Sequence, residues 1–169
     1  MTYPKAMGAT FSEDRQRRFA LWRVWERHKG LMLWVMCNPS TGSETKDDPT
    51  IRRVADFTKR GKYGGFVIVN LITQVTPHPI YIRDEFEPAE ADTHLRAAIE
   101  SCGLHIAAWG CPSMRSKETW SLFRSRVEIV RALCPEMLCL GMTRGGYPKH
   151  PVRLPKATKF TRLEWPVTF

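Results

Sequence analysis

Leu31-Met-Leu-Trp-Val-Met-Cys37 is a continuous apolar run that stops at Asn38-Pro39-Ser40. A short apolar run closed by turn residues reads as a strand buried on both faces, as in a parallel sheet. Asp47-Asp-Pro-Thr50 follows, with Asp48 placed to cap a helix and Pro49 to fill its first position. That helix carries Ile51, Val54, Ala55 and Phe57 inward and stops near Gly61. Gly64-Gly65 then opens a second apolar run, Phe66-Val-Ile-Val-Asn-Leu71. The pattern repeats downstream. Ala89 to Cys102 reads as a helix closed by Gly103, Leu104-His-Ile-Ala-Ala-Trp109 as a third strand, Glu118 to Leu133 as a helix, and Met137-Leu-Cys-Leu140 as a fourth strand. Such alternation predicts an α/β fold, a three-layer α/β/α sandwich with a mainly parallel central sheet.

Working outward, Phe19 to Trp25 alternates imperfectly and reads as an N-terminal strand or hairpin extension within residues 1–30. Residues 141–169 read as a basic, Pro-rich C-terminal flap. The 169 residues suit a single domain. The five cysteines form no CxxC pair, so neither a disulfide framework nor a zinc ribbon is expected, and a reducing cytoplasmic compartment is. No run is long enough for a membrane span, and no signal-peptide core is seen.

The net charge of +9 is unevenly spread. Lys5, Arg15, Arg17, Arg18, Arg23, Arg27 and Lys29 outweigh three acids near the N-terminus, and no acid interrupts the basic residues between Gly141 and Arg162. Asp84, Glu85, Glu87, Glu90 and Asp92 crowd the middle. Solvated surface is one reading. The other is a phosphate-binding rim, assigned to Arg52, Arg53, Arg144, Lys149 and Arg153, since clustered cations release counterions from a nucleic-acid backbone.

In an open parallel sheet, ligands bind beyond the carboxyl ends of the strands. Those ends deliver Asn38 and Ser40, then Asn70 and Thr73, then Trp109 and Gly110, and finally the loop through Tyr147 and His150. A turn or cap is the alternative for each. Asn70 follows four apolar residues, where a buried amide must be hydrogen-bonded and can match a base edge. Trp109, Phe66 or Tyr147 would offer a stacking face, with core packing as the alternative. Cys37 and Cys111 have apolar or turn neighbours and no partner histidine in sequence, so packing is preferred over a nucleophilic role. GxxxxGK[ST], GxGxxG after a first strand, HExxH, GxSxG and the deaminase pair of motifs are missing. This argues against an ATPase, a Rossmann dehydrogenase, a zinc protease and a zinc deaminase, and no metal or cofactor is expected.

Val35-Met-Cys-Asn-Pro-Ser-Thr41, Asp47-Asp-Pro-Thr-Ile-Arg-Arg53, Val69-Asn-Leu71, Ala107-Ala-Trp-Gly110 and the stretch from Cys139 to His150-Pro151 resemble, in this order, a bacterial and phage family without an assigned function. The likeness runs from about Ala9 to Pro155. A more remote resemblance carries chemistry. Met36-Cys-Asn-Pro-Ser40, Val67-Ile-Val-Asn-Leu-Ile-Thr-Gln-Val75, Trp109-Gly110 and His150-Pro151 are similar to the strand-end boxes of the uracil-DNA glycosylase superfamily. The resemblance implies that Asn38 positions an attacking water, Asn70 reads the base edge and His150 stabilises the departing base anion. The chain departs from that pattern at Ser40, where the family has Gly, at Cys37, and after His150-Pro151, where Ser-Pro is missing.

The expectation is a nucleobase-processing enzyme acting on DNA or a nucleotide, by base excision or base modification. Two alternatives stay open: a non-catalytic nucleic-acid or nucleotide-binding module, and an enzyme acting on a small metabolite in the same crevice.

Overall fold

A computed structural model describes Tyr3, residues 6–83 and residues 87–165. Lys5, Asp84 and Glu85, members of the expected charge clusters, lie outside the described residues. In chain order the elements are β1 (Met7–Phe11), β2 (Arg18–Val24), β3 (Met32–Met36), α1 (Pro49–Arg60), β4 (Gly65–Asn70), α2 (Ala89–Ser101), β5 (Leu104–Ala107), α3 (Lys117–Leu133), β6 (Leu138–Cys139) and β7 (Thr161–Arg162). The strands form one sheet in the order β1-β2-β4-β3-β5-β6-β7.

The fold is α/β and the sheet is mixed. Its centre is parallel, β3 pairing with β4 and β5 and β5 with β6. Its flanks are antiparallel, β2 pairing with β1 and β4 and β7 with β6. The expected mainly parallel sheet is therefore found in the centre only. The hairpin and the tail add edges whose pairing direction short apolar runs do not encode.

β3 shows why an unbroken apolar run was needed. All five of its residues are buried. Leu33 and Val35 join one core cluster with Leu95, Phe123 and Val127 from α2 and α3. Met32, Trp34 and Met36 join the other with Ile51, Val54 and Phe57 from α1. Handedness explains the distribution. The β3–α1–β4 crossover runs one way along the sheet, while β4–α2–β5 and β5–α3–β6 run the other. Right-handed crossovers of opposite direction put their helices on opposite faces. The chain thus reverses at β3, and a crevice opens between the exits of β3 and β5.

The caps of α1 are as expected, whereas α2 ends at Ser101 with Cys102, not Gly103, as its C-cap. Asp48 accepts a hydrogen bond from the Ile51 amide at 2.8 Å, with Pro49 opening α1. α3 starts one residue earlier than expected, behind a Ser116–Thr119 capping box. Ala55 is only half-buried, unlike Ile51, Val54 and Phe57.

β2 accounts for the imperfect alternation. Its register with β1 runs from Thr10 opposite Ala20 to Phe11 opposite Arg18, so Phe19 has no partner and the strand bulges. A bulge shifts the side-chain phase by one. Phe19 consequently stacks on His94 of α2, at 5.0 Å between ring centroids, while Leu21 joins the α1 side. The shift also puts Arg18 on the Leu21 side of the sheet.

The basic tail, expected as a flap, is fastened down. Phe160 sits against Trp34 and Phe57, and β7 pairs with β6. Arg53 donates to the Leu154 carbonyl, and Arg60 to those of Lys156 and Thr158.

Candidate functional site

A cleft of about 540 Å³ opens at the carboxyl ends of the parallel strands. This is within the usual size range of small-ligand pockets. Asn38, Ser40, Asn70, Trp109, His150 and Arg153 all line it. Pairing explains the convergence. Met36 lies opposite Asn70, so the exits of β3 and β4 are level. Beyond the strands, the Leu71 and Ile72 amides donate to the Met36 and Cys37 carbonyls at 2.8 and 3.0 Å.

Each polar group is oriented by what it touches. Asn38 donates through Nδ2 to the carbonyls of Thr76, at 2.8 Å, and Pro39, at 3.0 Å. Its amide is thereby fixed, leaving Oδ1 without a donor among the described residues. Asn70, 6% exposed, accepts through Oδ1 from Arg18 Nη2 at 3.4 Å. Its Nδ2 is the end left to donate.

His150 enters the cleft from the loop after β6. Its Nδ1 accepts from the Val152 amide at 3.4 Å, which leaves the ring proton on Nε2. Burial lowers its pKa, and the carboxylate of Asp48 opposes the shift. The ring is therefore held neutral, as a donor. Gly110 makes room for it. Its φ is +69°, and a Cβ there would sit 3.2 Å from His150 Cβ. A side chain would be both strained and crowded.

Other expected residues lie elsewhere. Thr73 is buried away from the cleft, where its hydroxyl and amide both donate to Glu87. Tyr147 packs near Phe123 of α3 and borders a separate hollow with Lys117, Trp120 and Arg124. Trp109 is 2% exposed and Phe66 fully buried, so neither offers a stacking face. Of the phosphate-rim residues, only Arg153 borders the cleft. Arg52 donates to the Asp47 carbonyl, and Arg53 lies 3.6 Å from Asp56 besides reaching Leu154. Arg144 is exposed in a turn, and Lys149 is half-buried beside Gly141.

The charge clusters also partly cancel. Arg15 pairs with Glu44, Arg17 with Glu87, Arg23 with Asp47 and Arg126 with Asp92. Glu87 and Asp92 of the acidic middle thus serve as internal partners. Burial nevertheless raises the pKa of Glu87, against its hydrogen bonds from Thr73.

From residue 18 to residue 152 the chain matches the family model described as Protein of unknown function (DUF1643). The chain belongs to this family. The match spans every cleft-lining residue but Arg153. No curated protein and no solved structure matches the chain.

In this DUF1643 chain, four polar cleft residues were not singled out as site residues from sequence: Arg18, Thr50, His78 and Asp48, the last read only as a cap. The break in alternation at Phe19 was the one available signal for Arg18. The two cysteines divide. Cys37 is buried, with its thiol pushed up to about 12 by burial, and is inert. Cys111 is exposed at the cleft rather than packed. No group of three or more potential metal ligands occurs among the described residues. No helix among them is long and apolar enough to cross a membrane.

Proposed function

We propose that this protein processes a nucleobase, by excision or modification, on a three-layer α/β/α sandwich of the uracil-DNA glycosylase type. One observation carries the reading: Asn38, Asn70 and His150, which the resemblance assigns to one active site, border one cleft although they come from distant parts of the chain. The two core clusters on opposite sheet faces support the layering.

In the excision form, Asn38 Oδ1 accepts a hydrogen bond from a water and orients it, without needing to be a strong base. The water oxygen bonds to the sugar carbon as the bond from that carbon to the base nitrogen breaks. The electron pair leaves on the base. His150 Nε2–H, held neutral, hydrogen-bonds to the base oxygen where charge grows, and the excess water proton goes to solvent and then to the base. A fixed donor aimed at developing charge stabilises the transition state more than the ground state, and so lowers the barrier. Asn70 Nδ2 donates to a carbonyl on the base edge. A duplex substrate must extrude its base to reach this depth.

The test uses oligonucleotides and nucleotides carrying uracil and modified pyrimidines, with released or altered base as the readout. Turnover is expected from the wild type and its loss from Asn38→Ala. No change in any base under either form of substrate refutes the enzymatic reading.

A further inference from the structure

Three arginines are buried among the described residues: Arg18, Arg23 and Arg126. Arg23 holds Asp47 at 2.7 Å, and Arg126 holds Asp92. Arg18 forms no ion pair among the described residues, although the charge of Asp48 acts on it through space. Its Nη1 donates to the Gly42 carbonyl at 2.9 Å and its Nη2 to Asn70 at a long 3.4 Å. Its Nε is buried without a partner. A buried charge is ordinarily paired, because desolvation is otherwise uncompensated. Arg18 borders the cleft, and the bulge at Phe19 aims it there. Asp48 is the acid that shares the cleft, and its side chain is engaged in capping α1. Arg153 stands exposed at the same cleft, with no ion pair among the described residues.

We propose that Arg18 is the floor of an anion subsite, and that the cleft takes a small phosphate-bearing ligand of the mononucleotide class. Depth selects the source of the phosphate. Arg18 is only 4% exposed. A phosphodiester inside a strand is flanked by sugars on both sides, whereas a terminal phosphate enters a narrow site alone. The cleft volume suits one nucleotide. The anion subsite stands on Arg18 itself. The identity of the base rests on the reading above.

The experiment is calorimetric titration of the full chain with inorganic phosphate, deoxyuridine, deoxyuridine 5′-monophosphate and a uracil-containing oligonucleotide without terminal phosphates. The monophosphate is expected to bind about tenfold or more tightly than the nucleoside, as for a desolvated charge contact. Inorganic phosphate should compete with it. Arg18→Met should erase the difference between nucleotide and nucleoside, and Arg18→Lys should retain part of it. If Arg18→Met does not fold, competition by phosphate in the wild type and the partial loss in Arg18→Lys decide the matter. Equal binding of nucleoside and nucleotide overturns the proposal. So does a difference that survives in Arg18→Met, or binding of the oligonucleotide alone. The last result spares the base-processing reading. Binding of inorganic phosphate with no turnover of any base does the reverse, keeping the subsite and removing that reading.

Discussion

The two ends of β5 each carry a histidine environment, and they differ in one respect. Near its start, His105 uses both ring nitrogens. Nε2 lies 3.1 Å from the Ile99 and Cys102 carbonyls, and Nδ1 lies 2.9 Å from Cys134 Sγ. The Cys134 thiol is pushed up to about 11 by burial, stays protonated and donates to the ring. Beyond the finish of β5, His150 packs on Gly110 and has the same tautomer. Its Nε2–H has no protein partner among the described residues. A Cys–His pair invites a catalytic interpretation, yet here every bond is internal. What separates a structural site from a candidate active site is the unspent donor, not the residue types.

The largest effects should divide along that line. His150→Ala and Asn38→Ala should each lower base turnover by roughly 100-fold or more, as removal of a transition-state donor or water ligand does. The denaturant midpoint of His150→Ala should stay near wild type, whereas Asn38→Ala also strands the Thr76 and Pro39 carbonyls and should lose some stability, so its turnover is compared per folded molecule. His105→Ala should do the opposite. It strands the Cys134 thiol and two carbonyls, which costs about 1–3 kcal/mol in unfolding free energy, and it should leave turnover per folded molecule unchanged. Loss of turnover in His105→Ala without loss of stability would erase the distinction between the two ends.

Acid sharpens the same contrast. The folded-state pKa of His150 lies below its unfolded value of about 6.5. Between the two values the unfolded chain binds more protons, so stability is intact above about 6.5 and is lost as pH falls through that window. Activity should hold through that window and fall only at its lower end, as pH passes the folded-state pKa, since a charged ring no longer matches its Nδ1 acceptor role. His94 is also shifted down by burial, and its share of the acid sensitivity should survive in His150→Gln. NMR titration of the His150 ring checks the order directly. A pKa above 6.5 contradicts it.

Thiol labelling gives a smaller, purely local readout. Cys111, at the open end, should react in the native protein and be protected by a ligand in the cleft. Cys37, Cys102, Cys134 and Cys139 are buried and should react only on unfolding. Fast native labelling of Cys134 would show that the closed end opens.

Much of this was legible in the sequence because it is local. Turn residues closing apolar runs marked the three longer central strands, and Asp48-Pro49 marked the start of α1. The strand-end argument likewise gathered Asn38, Asn70 and His150. Four things depended on tertiary pairing and were not legible. The bulge that turns Arg18 into the cleft is a property of two strands together. Thr73 has the composition of a site residue, but Glu87 claims it across a loop. Tyr147 falls on the α3 side because the chain reverses between Thr143 and Gly146, where the Gly146 amide donates to the Thr143 carbonyl and the Thr143 amide to that of Tyr147, before His150 is reached. The basic N-terminal segment reads as free positive charge until Glu44, Glu87 and Asp47 are found beside Arg15, Arg17 and Arg23.

Asp48 offers the finest dissection, since it both caps α1 and sets the field at the open end. Its charge opposes the downward shifts of Arg18 and His150. Asp48→Asn keeps a capping oxygen but removes the charge. Stability should change little, the His150 pKa should drop further, and inorganic phosphate should bind more tightly, because a like charge has left the cleft. Asp48→Ala loses the cap as well and should cost about 1 kcal/mol in unfolding free energy. If Asp48→Asn weakens phosphate binding instead, Asp48 is serving the ligand by holding Arg18 in place, and the open end is organised by an ion pair acting at a distance rather than by a cation awaiting its partner.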